Sequence, residues 1–483
     1  MSSVLIFAMD GLQPSQVTDE LMPNLAAFAS GGVFFENHHP VYPSVTRVNA
    51  ASIMTGCYPG RHGLVGNTSV IREYDPKKAF SALVPELTKV IEKTGRLLLR
   101  PTLSEILADH NKKFASVGTG SSGNSFVHNP HHDSTSGQTV HHEFTIPANL
   151  ASLVTSKFGD WLEQTEPDRA RNEYAVRVLT EYVLDDQELA IYWCDEPDHT
   201  QHAAGVNSEQ GKEALGVADG TFGKVIEWLD KKGQLGETDI MVVSDHGYST
   251  SQGLIDIESL IEHAGFAPVD VPGGVITAVN GGSVFFWVND RLTPAVDRLA
   301  EWLMAQPWCG AITVPDAHGD VEGTLPARLV GLEGERAPDL TMSFTWNSDP
   351  NEAGVPGHFY SAGKGKGLGD HGSMSKHEMR NTLIASGPSF KSGVRANTPT
   401  GNVDLAPTTL RILGLPGGDS MDGRVLEEAL ADGPDPGSVD SATEVYEAER
   451  EIDNGGYRQQ ITVSKVGKTS YVDQGIGNRF VNP

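Results

Sequence analysis

Cysteine is scarce in this chain of 483 residues: Cys57, Cys194 and Cys309 stand far apart in no paired spacing, which argues against a disulfide framework or a thiolate metal cluster. They read as buried thiols. Basic residues are also in deficit, 36 against 63 acidic ones, a net charge of -27. That balance argues against nucleic-acid polymers or anionic membranes as main partners, and an anionic substrate would depend on local cations, for which bound metal is the obvious source. No run of about 18 apolar residues occurs, and no basic leader precedes the first apolar segment. The expectation is a soluble, cytoplasmic protein with no membrane contact.

What is present is a chain long enough for one large domain with insertions, or for two to three domains. Val4 to Met9 is apolar throughout, as a central strand of a parallel sheet buried on both faces would be, and Asp10-Gly11 ends it. Leu189 to Cys194 and Asp239 to Ser244 repeat the pattern and also run into acid, at Asp195-Glu-Pro-Asp-His-Thr-Gln-His202 and Asp245-His246. Between them lie helical signals: Pro23 with the Gly31-Gly32 stop, a capping box at Thr102-Leu-Ser-Glu105 before a strand at Phe114, and an amphipathic segment from about 212 to 232. This alternation predicts an α/β fold, a mostly parallel central sheet with helices on both faces.

Pro43 opens a turn toward Thr46, where small and apolar residues begin a short packed helix. A hydroxyl at a helix start faces unpaired N–H groups that favour an anion; it could equally be a helix cap. Residues 118–150 carry His128, His131, His132, His141 and His142 without a carboxylate at helical spacing, and read as a solvated or substrate-bordering loop rather than a metal site. From about 270 to 345 the texture changes to a hairpin around Asn280-Gly281 and a helix from Thr293, an inserted α+β cap subdomain within a catalytic domain spanning 1–429. The extension 430–483 is acidic and polar to about 450, then carries a hairpin from Arg458 to Val472 that could pair with another subunit, giving a homo-oligomer, or close over its own core.

In an open parallel sheet, the carboxyl ends of the strands border the ligand crevice, so the three acidic clusters should converge there, and unpaired carboxylates that converge call for cations. Asp198 and His202 are four apart and could share an ion; Asp195 and His199 have the same spacing, which leaves the choice open. Oxygen and imidazole ligands without thiolate favour zinc or manganese.

Taken together, the segments Ala8-Met-Asp-Gly11, Thr46 with Thr55-Gly56, Tyr58-Pro-Gly-Arg-His-Gly-Leu-Val-Gly-Asn67, Glu196-Pro-Asp-His-Thr-Gln-His202, Ser244-Asp-His-Gly247, Gly369-Asp-His-Gly372 and Asn402-Val-Asp-Leu-Ala-Pro407 resemble the alkaline phosphatase superfamily, most of all its nucleotide pyrophosphatase/phosphodiesterase branch. The resemblance implies an alkaline phosphatase-like fold and hydrolysis of phosphodiester or phosphoanhydride bonds in a small anionic substrate through a covalent phosphothreonine. It implies two Zn2+ ions, with Mn2+ as an alternative, one held by Asp198, His202 and His371, the other by Asp10, Asp245 and His246 beside the nucleophile Thr46. Asn67 matches the branch's asparagine that donates to a phosphoryl oxygen, Asn49 also fits the pattern, and Asp195 and His199 become bystanders. Two departures border the substrate: Thr46-Arg-Val-Asn49 replaces Thr-Phe-Pro-Asn, and Gly-Ser-Met-Ser follows His371 in place of Gly-Tyr-Asp-Asn. Arg47, Lys364 and Lys366 are therefore candidates for gripping a second anionic group. A phosphonoacetate hydrolase-like C–P hydrolase, a phosphomonoesterase, and a catalytically silent metal-binding protein are the alternatives.

Overall fold

The computed structural model describes residues 3–452 and 455–480. Its central sheet has nine strands, in the order Val394–Ala396, Val33–Phe35, Leu383–Ser386, Thr238–Val243, Ser3–Met9, Leu189–Cys194, Phe114–Gly118, Gln138–His141 and Thr145–Ile146. Neighbours from Thr238–Val243 to Gln138–His141 run parallel, and Leu383–Ser386 and Thr145–Ile146 join antiparallel at either side. The three strands expected from their apolar runs are thus adjacent, with Ser3–Met9 between the other two.

The reason for uninterrupted apolar sequence is visible in the packing. Val4, Ile6 and Ala8 enter one apolar cluster while Leu5, Phe7 and Met9 enter another, so neither face of the strand meets water. Helices Thr46–Thr55 and Leu405–Leu413 cover the first face; Pro23–Gly31 and Glu209–Lys231 cover the second. On that second face Phe222 stands edge-on to Phe7 and Phe28, at ring separations of 5.2 and 5.1 Å. Helix Glu209–Lys231 begins slightly before its apolar periodicity because the Ser208 side chain accepts from Gly211 N–H and caps it.

A second sheet of five strands, ordered Val275–Asn280, Ser283–Val288, Leu340–Phe344, Cys309–Val314 and Leu325–Pro326, packs with helix Thr293–Met304 around its own apolar cluster. The hairpin turn lies at Gly281-Gly282. Gly281 has φ 61°, and a Cβ there would stand 2.2 Å from the His371 carbonyl, so only glycine lets the turn approach that loop.

The C-terminal part differs from the sequence reading. The hairpin is longer, Gly455–Val466 with Thr469–Phe480, and the acidic stretch before it supplies a third strand, Ala442–Ile452. Half-exposed residues alternate along it with exposed ones, and charge falls on both sides, at Glu444 and Arg450 as well as at Glu447, Glu449 and Glu451, which hid the pattern in the composition. Tyr457 and Ile476 pack into the second sheet's cluster, and Ile461, Val463 and Val472 into the apolar cluster beside it. The hairpin closes over its own chain. All three cysteines are free and buried.

One buried histidine makes the interior testable. His62 accepts from Leu64 N–H at Nδ1, 3.2 Å, and donates to Ser52 Oγ from Nε2, 3.0 Å, while burial holds its pKa down to about 3. The unfolded chain binds a proton there below about pH 6.5 that the native state refuses, so the stability it provides is lost as pH falls. The difference in unfolding free energy between wild type and His62→Gln should shrink by about 1.4 kcal/mol per pH unit below about pH 6.5, read from urea unfolding; a gap constant with pH contradicts a neutral His62.

Candidate active site and metal-ligand cluster

The strand ends deliver their acids to one place. Asp10 follows Ser3–Met9, Asp245-His246 follows Thr238–Val243, and Asp198 and His202 lie on the short helix Asp198–Ala204 beyond Leu189–Cys194. Gly369-Asp370 pairs with Ser249–Leu254 and brings His371 alongside. Two sets of three ligand groups result, Asp198 with His202 and His371, and Asp10 with Asp245 and His246; within each set the ligand atoms lie within 4.8 Å of one another. The His246 and His371 rings stack at 3.5 Å, so the sets are neighbours.

Each imidazole is oriented by a carbonyl. His202 Nδ1 donates to Gly369 O at 2.9 Å, His246 Nδ1 to Gly247 O at 2.9 Å, and His371 Nδ1 to Ser44 O at 2.7 Å. In the neutral imidazoles every Nε2 is thereby the lone-pair end, as a metal ligand's must be. The Nε2 atoms of His202 and His371 face each other at 3.2 Å, each 3.4 Å from Asp198 Oδ1. In the other set, His246 Nε2 is 3.1 Å from Asp245 Oδ2 and 3.5 Å from Asp10 Oδ1, and both carboxylate oxygens are buried with no hydrogen-bond partner. Acceptors facing acceptors and orphaned carboxylate oxygens fit divalent cations.

The electrostatics agree. Burial, followed by the charges of Asp245 and Asp198, pushes Asp10 well above the usual carboxylate range. Burial also opposes ionisation of Asp198, but His202, His371 and His246 overcome it and hold the carboxyl low. Against the pull of burial, the hydrogen bond and charge of Asp198 raise His371 to about 9. A field that retains a proton on a buried imidazole is one that would retain a metal ion.

Thr46 is the first residue of helix Thr46–Thr55, while Val45 occupies the cap position and no side chain caps the helix. Its hydroxyl is therefore not a cap; it lies 3.4 Å from His246 Nε2, beside the second ligand set. Asn67 accepts Arg47 N–H through Oδ1 at 3.1 Å, which leaves its amide nitrogen for the cleft. Asn49 does not face the cleft. It is buried, accepts from Val41 N–H at 2.8 Å, donates to Val45 O at 3.1 Å, and accepts from Asn402 Nδ2, which also donates to Asp245 O at 2.8 Å. Asn402 thus ties the Thr46 helix to the Asp245 loop.

A cleft of about 440 Å³ opens over both sets, lined by Thr46, Arg47, Asn67 and Lys364 as well as ligand residues. Arg47 turns inward, donating to Ser121 Oγ at 3.2 Å, and burial lowers its pKa to about 10 against the pull of Asp10, Asp198 and Glu143. Lys366 is exposed and borders a different groove with Glu209 and His358. No residue from 270–345 lines the cleft; that segment supports the His371 loop from beside it instead of covering it. In the histidine-rich stretch, His128 and His141 are buried rather than solvated, and His142 borders the cleft. Asp195 and His199 also border the cleft without joining a ligand set, as bystanders would.

Two site residues were not found by sequence reasoning. Trp193 donates from Nε1 to Asp10 Oδ2 at 2.9 Å, and Tyr248 donates to Asp198 Oδ1 at 2.8 Å. Both are buried and in sequence pass for core aromatics. The signal for Tyr248 was Gly11, φ 70°, where a Cβ would meet its ring at 2.7 Å.

Among the described residues no helix is long and apolar enough to cross a membrane. Similarity to known proteins is consistent along the chain. It is 24% identical over 422 residues to mouse bis(5'-adenosyl)-triphosphatase enpp4, covering 85% of this chain and 77% of that protein, and 23% identical over 425 residues to its human counterpart. The solved structure of murine ectonucleotide pyrophosphatase/phosphodiesterase 5, an inactive variant in complex with AMP, superimposes with a TM-score of 0.60 at 17% identity, covering 86% of this chain and 96% of that one, which shows the shared α/β fold. The profile of the type I phosphodiesterase / nucleotide pyrophosphatase family matches residues 4–374, and the chain belongs to that family, within the alkaline phosphatase superfamily.

Proposed function

We propose that the protein hydrolyses phosphodiester or phosphoanhydride bonds with two divalent ions, zinc or alternatively manganese, and Thr46 as the nucleophile. The observation that carries this reading is the pair of three-residue sets whose Nε2 and carboxylate oxygens converge beside the Thr46 hydroxyl. Asp198, His202 and His371 would hold one ion and Asp10, Asp245 and His246 the other. When bound, such ions neutralise phosphoryl charge and lower the pKa of a nearby hydroxyl or water.

The chain's own groups do the rest. Thr46 Oγ1 gives up its proton to solvent and attacks phosphorus, the Oγ1–P bond forms as the ester P–O bond breaks, and the leaving oxygen departs to take a proton from solvent. Water then attacks the phosphothreonine phosphorus and releases a proton as its O–P bond forms, the Oγ1–P bond breaks, and Oγ1 takes a proton from solvent. Asn67 Nδ2 and the Thr46 N–H at the start of helix Thr46–Thr55 donate to the phosphoryl oxygens as charge develops. Relatives named as a bis(5'-adenosyl)-triphosphatase and a phosphodiesterase in complex with AMP support a small nucleotide-like substrate. Arg47, standing in the cleft next to the nucleophile, and Lys364 favour a second reading, a phosphonate or monoester substrate whose additional charge they bind.

Thr46→Ala should keep both metals and lose turnover of an aryl phosphodiester by at least about a thousandfold, whereas Asp198→Ala or Asp245→Ala should lose metal as well, read by elemental analysis beside the rates. Retained turnover in Thr46→Ala would remove the covalent mechanism. Trp193→Phe and Tyr248→Phe each leave a ligand carboxylate without its donor, and each should weaken zinc binding about 10- to 100-fold in a chelator competition; unchanged affinity would make both residues mere packing.

A further inference from the structure

Beyond Thr46 the cleft continues to a wall that no part of the phosphodiesterase chemistry uses. Arg171, on helix Arg169–Val178, is 7% exposed, and its Nε is buried without a hydrogen-bond partner. Its NH1 donates to His142 Nε2 at 3.4 Å, and the nearest carboxylate oxygen to Nε, Asp168 Oδ2, stands at 3.5 Å. Arg47 reaches the same wall from the nucleophile helix and rests on neutral partners, Ser121 Oγ at 3.2 Å and Asn67 O at 3.4 Å. Ser121 and His142 line the same cleft, Ser121 against Arg47 and His142 against Arg171.

The neighbouring acids do not use up this charge. Asp195 Oδ1 accepts from Thr119 and Asn172, and its Oδ2 accepts from Gln164 Nε2 at 3.1 Å. The Glu143 and Glu166 side chains are about half exposed and can turn to water. Asp168, the partner of Arg171, is pushed up to about 7 by burial and by Asp195, so at neutral pH it offsets that guanidinium only in part. His141, His142 and Glu143 lie close enough to suggest a third cation. Both ring nitrogens of His141 are already engaged, by Gly120 O at 2.8 Å and Glu143 N–H at 3.1 Å, and Arg171 abuts His142, so the place suits an anion.

We propose that Arg47, Ser121, His142 and Arg171 form a second oxyanion subsite, and that the substrate is a phosphoric diester carrying a further phosphate or carboxylate. The proposal rests on the phosphodiesterase reading and names its substrate class. A planar guanidinium fork at each end matches a tetrahedral or planar oxyanion through charge-assisted hydrogen bonds, and Ser121 Oγ supplies a neutral donor between them. A family member with an aromatic residue after its threonine would offer an uncharged surface there; Arg47 does not.

The test compares three p-nitrophenyl phosphodiesters, of ethanol, of 3-hydroxypropionate and of glycol monophosphate, on the zinc-loaded wild type, Arg171→Gln and Arg47→Gln. In the wild type kcat/KM for at least one doubly charged ester should exceed that for the ethyl ester by about tenfold or more, and the better of the two tells phosphate from carboxylate. Each variant should bring that ratio near one, and calorimetry should show Arg171→Gln losing about tenfold in affinity for 3-phosphonopropionate but not for ethylphosphonate. Arg47→Gln, on another helix, serves if Arg171→Gln does not fold, and equal zinc content identifies folded variants. A wild type that prefers the ethyl ester, or a ratio unchanged in the variants, overturns the subsite while leaving the phosphodiesterase reading intact. No turnover of any of the three esters removes that reading, and the substrate subsite with it.

Discussion

Like charges held together out of water govern this structure. Asp10 and Asp245 are almost fully buried, and each faces the other's charge together with that of Asp198. Carboxylates so placed repel one another and lose hydration, a cost that hydrogen bonds alone do not offset. The chain meets part of it with three imidazoles whose lone pairs point inward and with two aromatic donors, Trp193 and Tyr248. What is left is an arrangement of acceptors with the composition and orientation of a two-cation site.

Holding such a site open takes rigidity, and the fold provides it by converging strands rather than loops. Ser3–Met9 lies between its two parallel neighbours in a sheet covered on both faces, so Asp10 leaves the sheet from a fixed point. Cross-links then fix the remaining pieces. Asn402 joins the Thr46 helix to the Asp245 loop, Ser44 O orients His371, and the Gly281-Gly282 turn of the second sheet presses against the loop that carries His371. The C-terminal hairpin adds to this brace, since Gly475 N–H donates to Met374 O three residues past His371. Thr46 and both three-residue sets thus belong to one packed unit, which is what preorganised transition-state stabilisation requires.

The parts of this arrangement that could be read in the sequence are those that obey local rules. An apolar run ending in acid marks a buried strand with its carboxylate at the crevice, so Asp10, Asp245 and the stretch from Asp195 to His202 were visible; the four-residue spacing fitted Asp195 with His199 as well as Asp198 with His202, and the family resemblance chose the latter pair. The rest depends on contacts between residues distant in sequence. Trp193 and Tyr248 look like core aromatics, and only the fold shows their polar ends on ligand carboxylates. Arg171 reads as an ordinary helix residue until the helix is packed beside the cleft. Lys366 was grouped with Lys364 by proximity in a glycine-rich loop, yet the two border different grooves. The strand Ala442–Ile452 was hidden by its acidic face, and the segment 270–345 was expected over the site because an insertion beside a catalytic core has many places to go.

The account stands or falls on where cations bind. Anomalous diffraction at the zinc edge from crystals of the zinc-loaded protein measures this directly. Two peaks are predicted, one about 2.0–2.1 Å from the Nε2 atoms of both His202 and His371, the other at the same distance from His246 Nε2 and within reach of Thr46 Oγ1. A single peak, or density at His141, His142 and Glu143 with neither ligand set occupied, would contradict it.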